Sequence, residues 1–272
     1  MDNWNVVLVI LMQGWLNLEE LSIQNCGGFL EVFKLVFLSR LKRMRLYNLL
    51  ELRRIWMGPT HLINLNHLES LDVCNCKKLI HLFTPTLARS LQNLKTLRID
   101  RCDELEHLIV EDENDRILLE RHLQTPCFPK LGEVRVRGCN KLKCLFPMMI
   151  AHNLLELSSL SVKGASQLVE VFASVYEGET LVQRDVSLPK LKYITLIQLP
   201  SLLNFYPKNY HAILPGLHEL KVQNCSNMTR SFAPTPDKNV HVNGEVTHYI
   251  WSFYFFSYIY YESCGESMSY KF

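Results

Sequence analysis

The chain has 272 residues, of which 48% are hydrophobic and 21% are charged, so it can bury a sizeable core and is not expected to be mainly disordered. Its formal net charge of +2 gives no global electrostatic reason to bind nucleic acid or an anionic membrane, and neither is expected as a partner. Nine cysteines are too dilute for a disulfide scaffold, and an odd number would leave one thiol unpaired in an oxidising compartment. We therefore expect reduced thiols and a cytoplasmic protein.

Residues 1–14 are mostly apolar and contain a run from Val6 to Met12. No Lys or Arg precedes this run and no small-residue cleavage site follows it, so we do not expect a signal peptide. We interpret residues 1–14 as a partial or degenerate repeat.

One pattern recurs from residue 15 to residue 236, in about eight units. The third and fifth residues after a leading leucine are apolar in every unit, and this alternation predicts a short strand. A fixed period of this length predicts that the units stack into a solenoid, since one unit cannot bury its apolar side alone. The leading leucines, which define position zero of each unit, are Leu18, Leu41, Leu68, Leu94, Leu131, Leu157, Leu191 and Leu217.

Two further positions repeat along the chain. Position fifteen is mostly aromatic, as in Phe83, Phe146 and Phe172. Leu and Ala replace cysteine freely at position eight, and a zinc site needs four converging ligands, so we interpret these thiols as buried small apolar groups at the bend after the strand. We predict no metal and no other cofactor. The position-eight cysteines are Cys26, Cys76, Cys102, Cys139 and Cys225.

Two units are longer than the others, with polar insertions near residues 110–127 and 173–187. We expect both insertions to form loops on one side of the solenoid, either contacting a partner or extending into solvent. Residues 237–272 lose the repeat and form an atypical tail. Its aromatic stretch from Tyr249 to Tyr261 is too short to span a membrane as a helix, and it is consistent with an edge strand, a cap or non-native sequence.

The consensus LxxLxLxxCxxLxxLF, as in LESLDVCNCKKLIHLF and LGEVRVRGCNKLKCLF, resembles the C-terminal leucine-rich repeats of plant coiled-coil nucleotide-binding disease-resistance proteins. Unit starts of the form FPKL, LPKL or LPGL strengthen the resemblance. The resemblance implies an α/β solenoid, a horseshoe with a parallel β-sheet on its concave face and irregular or short helical segments on its convex face. It also implies plant defence, by sensing a pathogen effector or by holding a nucleotide-binding switch inactive.

The chain lacks the phosphate-binding motif GxxxxGK followed by Ser or Thr, so nothing about ATP carries over from the resemblance. We interpret the chain as a fragment, a truncated product or a stand-alone repeat protein. Its expected partner is a protein: an effector, a guarded host protein or the nucleotide-binding domain of a parent protein.

Side chains two, four and six residues after the leading leucine point away from the core and form the expected binding face. Seven of these 24 side chains are basic and five are acidic, so we expect a mixed face with a basic cluster in adjacent units. Arg and Tyr are enriched at binding hot spots. The candidate contact residues are Arg45, Tyr47, Asp72, Arg98, Asp100, Arg135, Arg137, Lys163, Tyr193 and Lys221.

Two other protein classes remain open. Ubiquitin-ligase adaptors also carry a cysteine ladder, although their F-box segment is missing here. An extracellular receptor would use glycosylation sequons such as the one at Asn224, which we expect on the packed strand. No GxSxG or HExxH motif occurs, and we expect no enzymatic activity.

Overall fold

The computed structural model describes residues 18–28, 31–33, 39–56, 65–110, 126–173, 184–207, 210–228, 258–260 and 267–271. Short strands dominate these residues, and two short helices occur among them. The elements, in chain order, are β1 (Glu20–Gln24), β2 (Glu31–Phe33), β3 (Arg43–Tyr47), β4 (Arg54–Trp56), β5 (Ser70–Cys74), β6 (His81–Phe83), α1 (Pro85–Ser90), β7 (Thr96–Asp100), β8 (His107–Ile109), β9 (Glu133–Arg137), β10 (Cys144–Pro147), α2 (Met148–Ala151), β11 (Ser159–Lys163), β12 (Glu170–Ala173), β13 (Arg184–Ser187), β14 (Tyr193–Ile197), β15 (Tyr210–Ile213), β16 (Glu219–Gln223), β17 (Tyr258–Tyr260) and β18 (Ser267–Lys271).

The main sheet has the order β1-β3-β5-β7-β9-β11-β14-β16-β18-β17. Its first eight strands are parallel, and each occupies positions two to six of its unit, as the alternation predicts. Neighbouring strands pair position for position, so Leu71 lies opposite Leu97 and Asp72 opposite Arg98. This register repeats the same side chain position from unit to unit, which confirms the predicted solenoid with a parallel sheet on one face.

The core forms one continuous column of side chains beneath this sheet. Positions three and five of the unit, which are the second and fourth residues of each strand, are buried from β3 to β14, as in Met44 and Leu46 or Val134 and Val136. Position eleven is fully buried in the six units from Leu52 to Leu202. No single unit encloses these side chains, so each unit depends on its neighbours for burial.

The other side of the solenoid differs in detail from the expected irregular or helical segments. Short strands form a second sheet of order β12-β10-β8-β6 and two pairs, β2-β4 and β13-β15. Helix α1 begins at Pro85, and the Thr84 hydroxyl accepts a hydrogen bond from the Leu87 N–H. The described residues contain very little helix, in α1 and α2 only.

An aromatic ladder runs along this second side. Phe146 and Phe172 lie with ring centroids 6.2 Å apart, and Phe172 continues to Tyr206. The fourth unit has Ile109 at position fifteen, and Phe128 from the start of the next unit fills the gap with its ring 5.3 Å from that of Phe83. The ladder therefore passes the unit that lacks a position-fifteen aromatic residue.

A left-handed residue follows each of the eight parallel strands, a feature that sequence reasoning missed. Its φ lies between 52° and 64°, and its N–H donates to the last strand residue of the next unit wherever such a unit follows in the described sheet. Asn and Gly tolerate this conformation best. The eight residues are Asn25, Asn48, Asn75, Arg101, Gly138, Gly164, Gln198 and Asn224.

The described cysteines of the ladder are free thiols. In the middle units they are buried, as the interpretation of small apolar groups predicts. These thiols are more than small apolar groups, however. Cys102 Sγ donates to the Asp100 carbonyl at 3.7 Å, and Cys139 Sγ donates to the Arg137 carbonyl at 3.5 Å. Each carbonyl oxygen also accepts a hydrogen bond from the N–H of a left-handed residue in the preceding unit. The thiol therefore donates to the second lone pair of that oxygen.

The insertions and the C-terminal tail differ in part from the sequence expectations. The first insertion lies almost wholly outside the described residues, whereas the end of the second forms β13, which pairs with β15 and is not a loop. In the tail, β18 pairs antiparallel with β16, and β17 pairs with β18.

Asn224 was expected on the packed strand. This is wrong, because β16 ends at Gln223 and Asn224 is exposed in the following turn. No helix in the described ranges is long and apolar enough to cross a bilayer.

Candidate functional site

The outward side chains of the main sheet line a trough of about 940 Å³. The alternation of the strands places them there, because positions three and five face the core. Eight of the ten candidate contact residues line this trough, and Tyr193 and Lys221, on β14 and β16, lie outside it. The eight residues are Arg45, Tyr47, Asp72, Arg98, Asp100, Arg135, Arg137 and Lys163.

Acidic and basic side chains lie at different depths in the middle of the trough. The side chains of Asp72, Asp100 and Glu133 are 14%, 21% and 25% exposed. The arginines beside them reach further out: Arg135 is 60% exposed and Arg137 is 69% exposed. The count of charges therefore suggests a mixed face, but a partner would meet mainly guanidinium groups.

Glu133 joins the two central arginines. Its Oε1 lies 2.5 Å from Nε of Arg135 and 3.4 Å from Nη2 of Arg98. Arg98 and Arg135 are in register on β7 and β9, and the shared carboxylate offsets the repulsion between these two like charges. Sequence reasoning did not include Glu133 among the candidates, although its position two residues before Arg135 on the same strand face was a usable signal.

A second carboxylate is shared next to this pair. Arg137 Nε lies 3.0 Å from Asp100 Oδ1, and Arg101 Nε lies 3.3 Å from Asp100 Oδ2. Burial by itself would raise the pKa of Asp100, but the hydrogen bond and charge of Arg137 and the charge of Arg101 outweigh it, so the pKa lies below its ordinary value. Asp100 is therefore charged at neutral pH and holds Arg137 in place. Arg101 was missed because it belongs to the left-handed turn and not to the strand.

Lys163 and Lys221 differ from the arginines of the trough. Within the described ranges neither lysine has an ion pair or side-chain hydrogen bond. Lys163 is in register with Arg137 on the neighbouring strand. Tyr193 is 47% exposed, with its ring centroid 6.4 Å from that of His218. Ser159, Ser161 and Thr195 complete this end of the face with hydroxyl groups.

Lysine–glutamate ion pairs connect adjacent units along the edges of the solenoid. They join the same repeat position in adjacent units, with N–O distances of 2.6 to 3.0 Å. Each exposed pair contributes little by itself because solvent screens it, but together the pairs favour one order of units. These pairs are Lys42–Glu19, Lys78–Glu51, Lys95–Glu69, Lys141–Glu104, Lys143–Glu106 and Lys190–Glu156.

The second side of the solenoid carries one thiol beside an imidazole, with Cys144 Sγ 3.7 Å from His107 Nδ1. Burial raises the pKa of Cys144 to about 11, and burial lowers the pKa of His107. The pair therefore consists of a neutral thiol and a neutral imidazole at pH 7, which is unlike an activated nucleophile.

The family model of leucine-rich repeats described as "plant disease resistance protein RPS2-like" matches residues 2–103 and 104–241 of the chain. The chain belongs to this family. A probable disease resistance protein of Arabidopsis thaliana is 29% identical to it over an alignment of 257 residues, and the match covers 85% of this chain and 27% of that protein. The chain thus spans about a quarter of the length of this relative. No solved structure matches the chain.

Membership of the disease-resistance repeat family confirms the resemblance drawn from the consensus. Repeats of this family and solenoids of this kind are typically non-enzymatic and imply interaction with proteins. The trough on the main sheet offers exposed polar and charged side chains to such an interaction.

Proposed function

We propose that this chain is a non-enzymatic protein-recognition module of plant defence that acts in the cytoplasm through the concave face of its main sheet. The face either senses a pathogen effector or a guarded host protein, or it docks on the nucleotide-binding domain of a parent protein and holds it inactive. The observation that carries the proposal is the trough, in which eight candidate side chains from five strands face the same solvent-filled space.

The shape and chemistry of the trough support recognition of a protein. Arginine and tyrosine side chains offer large contact areas and several hydrogen-bond donors, and they dominate the energy of many protein interfaces. The strands beneath are held by a buried core, so the face is preorganised and little ordering is needed on binding.

The test compares variants of the trough with variants of the solenoid edge that carries the Lys–Glu pairs. The tagged full chain is expressed in infected and uninfected plant tissue, and co-purifying proteins are quantified by mass spectrometry. We expect Arg98→Ala combined with Tyr193→Ala to reduce capture of at least one protein about tenfold, which corresponds to about 1.4 kcal/mol. The matched control, Lys78→Ala combined with Lys141→Ala, alters exposed edge residues and should capture that protein as the wild type does.

The source of the captured protein separates the two modes of action. A pathogen protein, or a host protein captured only from infected tissue, supports sensing, whereas a nucleotide-binding domain captured from uninfected tissue supports autoinhibition. Equal capture by the face variant and the edge variant, with circular dichroism showing that both are folded, would overturn the proposal that this face is the recognition surface.

A further inference from the structure

The outermost donors of the trough converge on one small patch, formed by Arg135 and Arg137 on β9 and Lys163 on β11. Arg135 binds Glu133 through Nε, and among the described residues its two Nη groups have no partner. Arg137 binds Asp100 through Nε and Nη2, and its Nη1 group has no partner within the described ranges. Lys163 brings a whole ammonium group to the patch.

The carboxylates below the patch position these donors without neutralising them. Asp100 and Glu133 are at most a quarter exposed, whereas Arg135 and Arg137 are more than half exposed. A carboxylate that binds the inner edge of a guanidinium fixes the plane of that group and aims the remaining N–H donors at solvent. The patch is therefore a preorganised site for an anion.

The spacing of the patch selects the shape of that anion. Arg135 and Arg137 are two residues apart on one strand, which separates them by about 7 Å, and Lys163 lies beside Arg137 on the next strand at about 4.8 Å. Alternate side chains of an extended peptide are also about 7 Å apart. Two acidic side chains separated by one residue would thus meet both arginines at once.

We propose that the Arg135–Arg137–Lys163 patch is the subsite that receives an acidic peptide segment of the protein partner, with carboxylates at alternate positions. This inference rests on the proposed function and adds the chemistry of the partner. A nucleic acid fits less well, because a phosphate backbone needs a long basic track, whereas Asp72, Asp100 and Glu133 pair with the arginines and interrupt the positive charge here.

The test uses the purified full chain and a fluorescein-labelled peptide in which Glu alternates with Ser, measured by fluorescence anisotropy at low salt. The peptide with Gln in place of Glu should bind about tenfold more weakly, which corresponds to about 1.4 kcal/mol, because Gln cannot form the charge-assisted hydrogen bonds. Arg135→Gln combined with Arg137→Gln should weaken the Glu peptide by a similar factor. The control, Lys141→Gln combined with Lys143→Gln, removes two lysines from the solenoid edge and should leave affinity unchanged.

A second variant keeps the inference falsifiable if the arginine variant is unstable. Lys163→Gln removes an ammonium group that has no ion pair or side-chain hydrogen bond within the described ranges, so it should leave the fold intact and weaken binding of the Glu peptide several-fold. The inference is overturned if Lys163→Gln stays folded and binds the Glu peptide as the wild type does. It is also overturned if the Gln peptide or a single-stranded oligonucleotide binds as well as the Glu peptide. Loss of the cellular partner in the Arg98 and Tyr193 variant would still support the recognition surface in that case.

Discussion

The ring of Phe172 stacks on the ring of Tyr206, with centroids 5.2 Å apart and planes only 7° from parallel. These residues occupy the same repeat position in consecutive units, so the stack joins one unit to the next inside the core. The hydroxyl of Tyr206 is carried into this apolar stack and has no hydrogen-bond partner among the described residues. Burial raises the pKa of Tyr206 well above its ordinary range, so the phenol stays neutral.

Removing this hydroxyl should not destabilise the protein. We expect Tyr206→Phe to leave the free energy of unfolding unchanged or to raise it by up to about 1 kcal/mol, because the buried hydroxyl is unsatisfied and the ring stays in place. Urea unfolding followed by circular dichroism measures the change. Phe172→Ala is the control and should cost about 3 kcal/mol or more, since it removes a fully buried ring. A clear loss for Tyr206→Phe would show that the hydroxyl has a partner in the folded chain.

The left-handed turn after β14 is occupied by Gln198, with φ of 56°. We expect Gln198→Gly to raise the free energy of unfolding by about 0.5 to 1 kcal/mol, because glycine adopts this conformation without steric strain. At the equivalent Gly164, a Cβ would meet no atom closer than 3.7 Å, so Gly164→Ala tests the backbone alone and should cost about 1 kcal/mol. Equal stability of Gln198→Gly and wild type would mean that the strain is relieved elsewhere.

His81 and His107 lie opposite each other on β6 and β8, and burial lowers the pKa of both below 6.5. The unfolded chain therefore binds protons at higher pH than the folded chain does. The stability contributed by the neutral imidazoles is present above about pH 6.5 and decreases as the pH falls through the unfolded pKa towards the folded value.

We expect the urea midpoint to fall between pH 7.5 and pH 5.5, and His81→Gln combined with His107→Gln to reduce that fall. Arg54 and Lys143 add to the shift on one imidazole each, and Glu106 opposes it at His107. Carboxylates titrate mainly below this window. If the double variant has the same pH dependence as the wild type, the buried imidazoles of His81 and His107 are not its cause.

Cys74 and Cys102 should differ sharply in reactivity towards iodoacetamide at pH 8. Cys102 is fully buried, and the neighbouring thiols of Cys139 and Cys76 together with burial raise its pKa, whereas Cys74 is partly exposed on the trough. Peptide mass spectrometry over time should show Cys74 modified first and Cys102 protected. All nine cysteines should react in denaturant, and equal rates for these two in the folded chain would argue against the buried ladder.

The sequence by itself determined the solenoid, its register and the side of each strand residue. The reason is local: strand residues alternate sides, so apolar positions three and five commit positions two, four and six to solvent. Repetition then aligns equal positions, as when Arg98 lies beside Arg135. The left-handed turns are also marked in the sequence, by the Asn or Gly that recurs at position seven in six of the eight units.

Only the tertiary structure decided how deep each charge lies and which groups share a partner. A count of charges cannot show that Glu133 lies beneath Arg135, because this depends on the length and conformation of two side chains packed between neighbouring units. Likewise, β13 lies at the end of an insertion for which the sequence predicted a loop, and it is a strand because it pairs with β15 of the next unit. The sequence determines what repeats locally, whereas the depth of each charge, the sharing of partners and the strand at the end of this insertion arise from contacts between units.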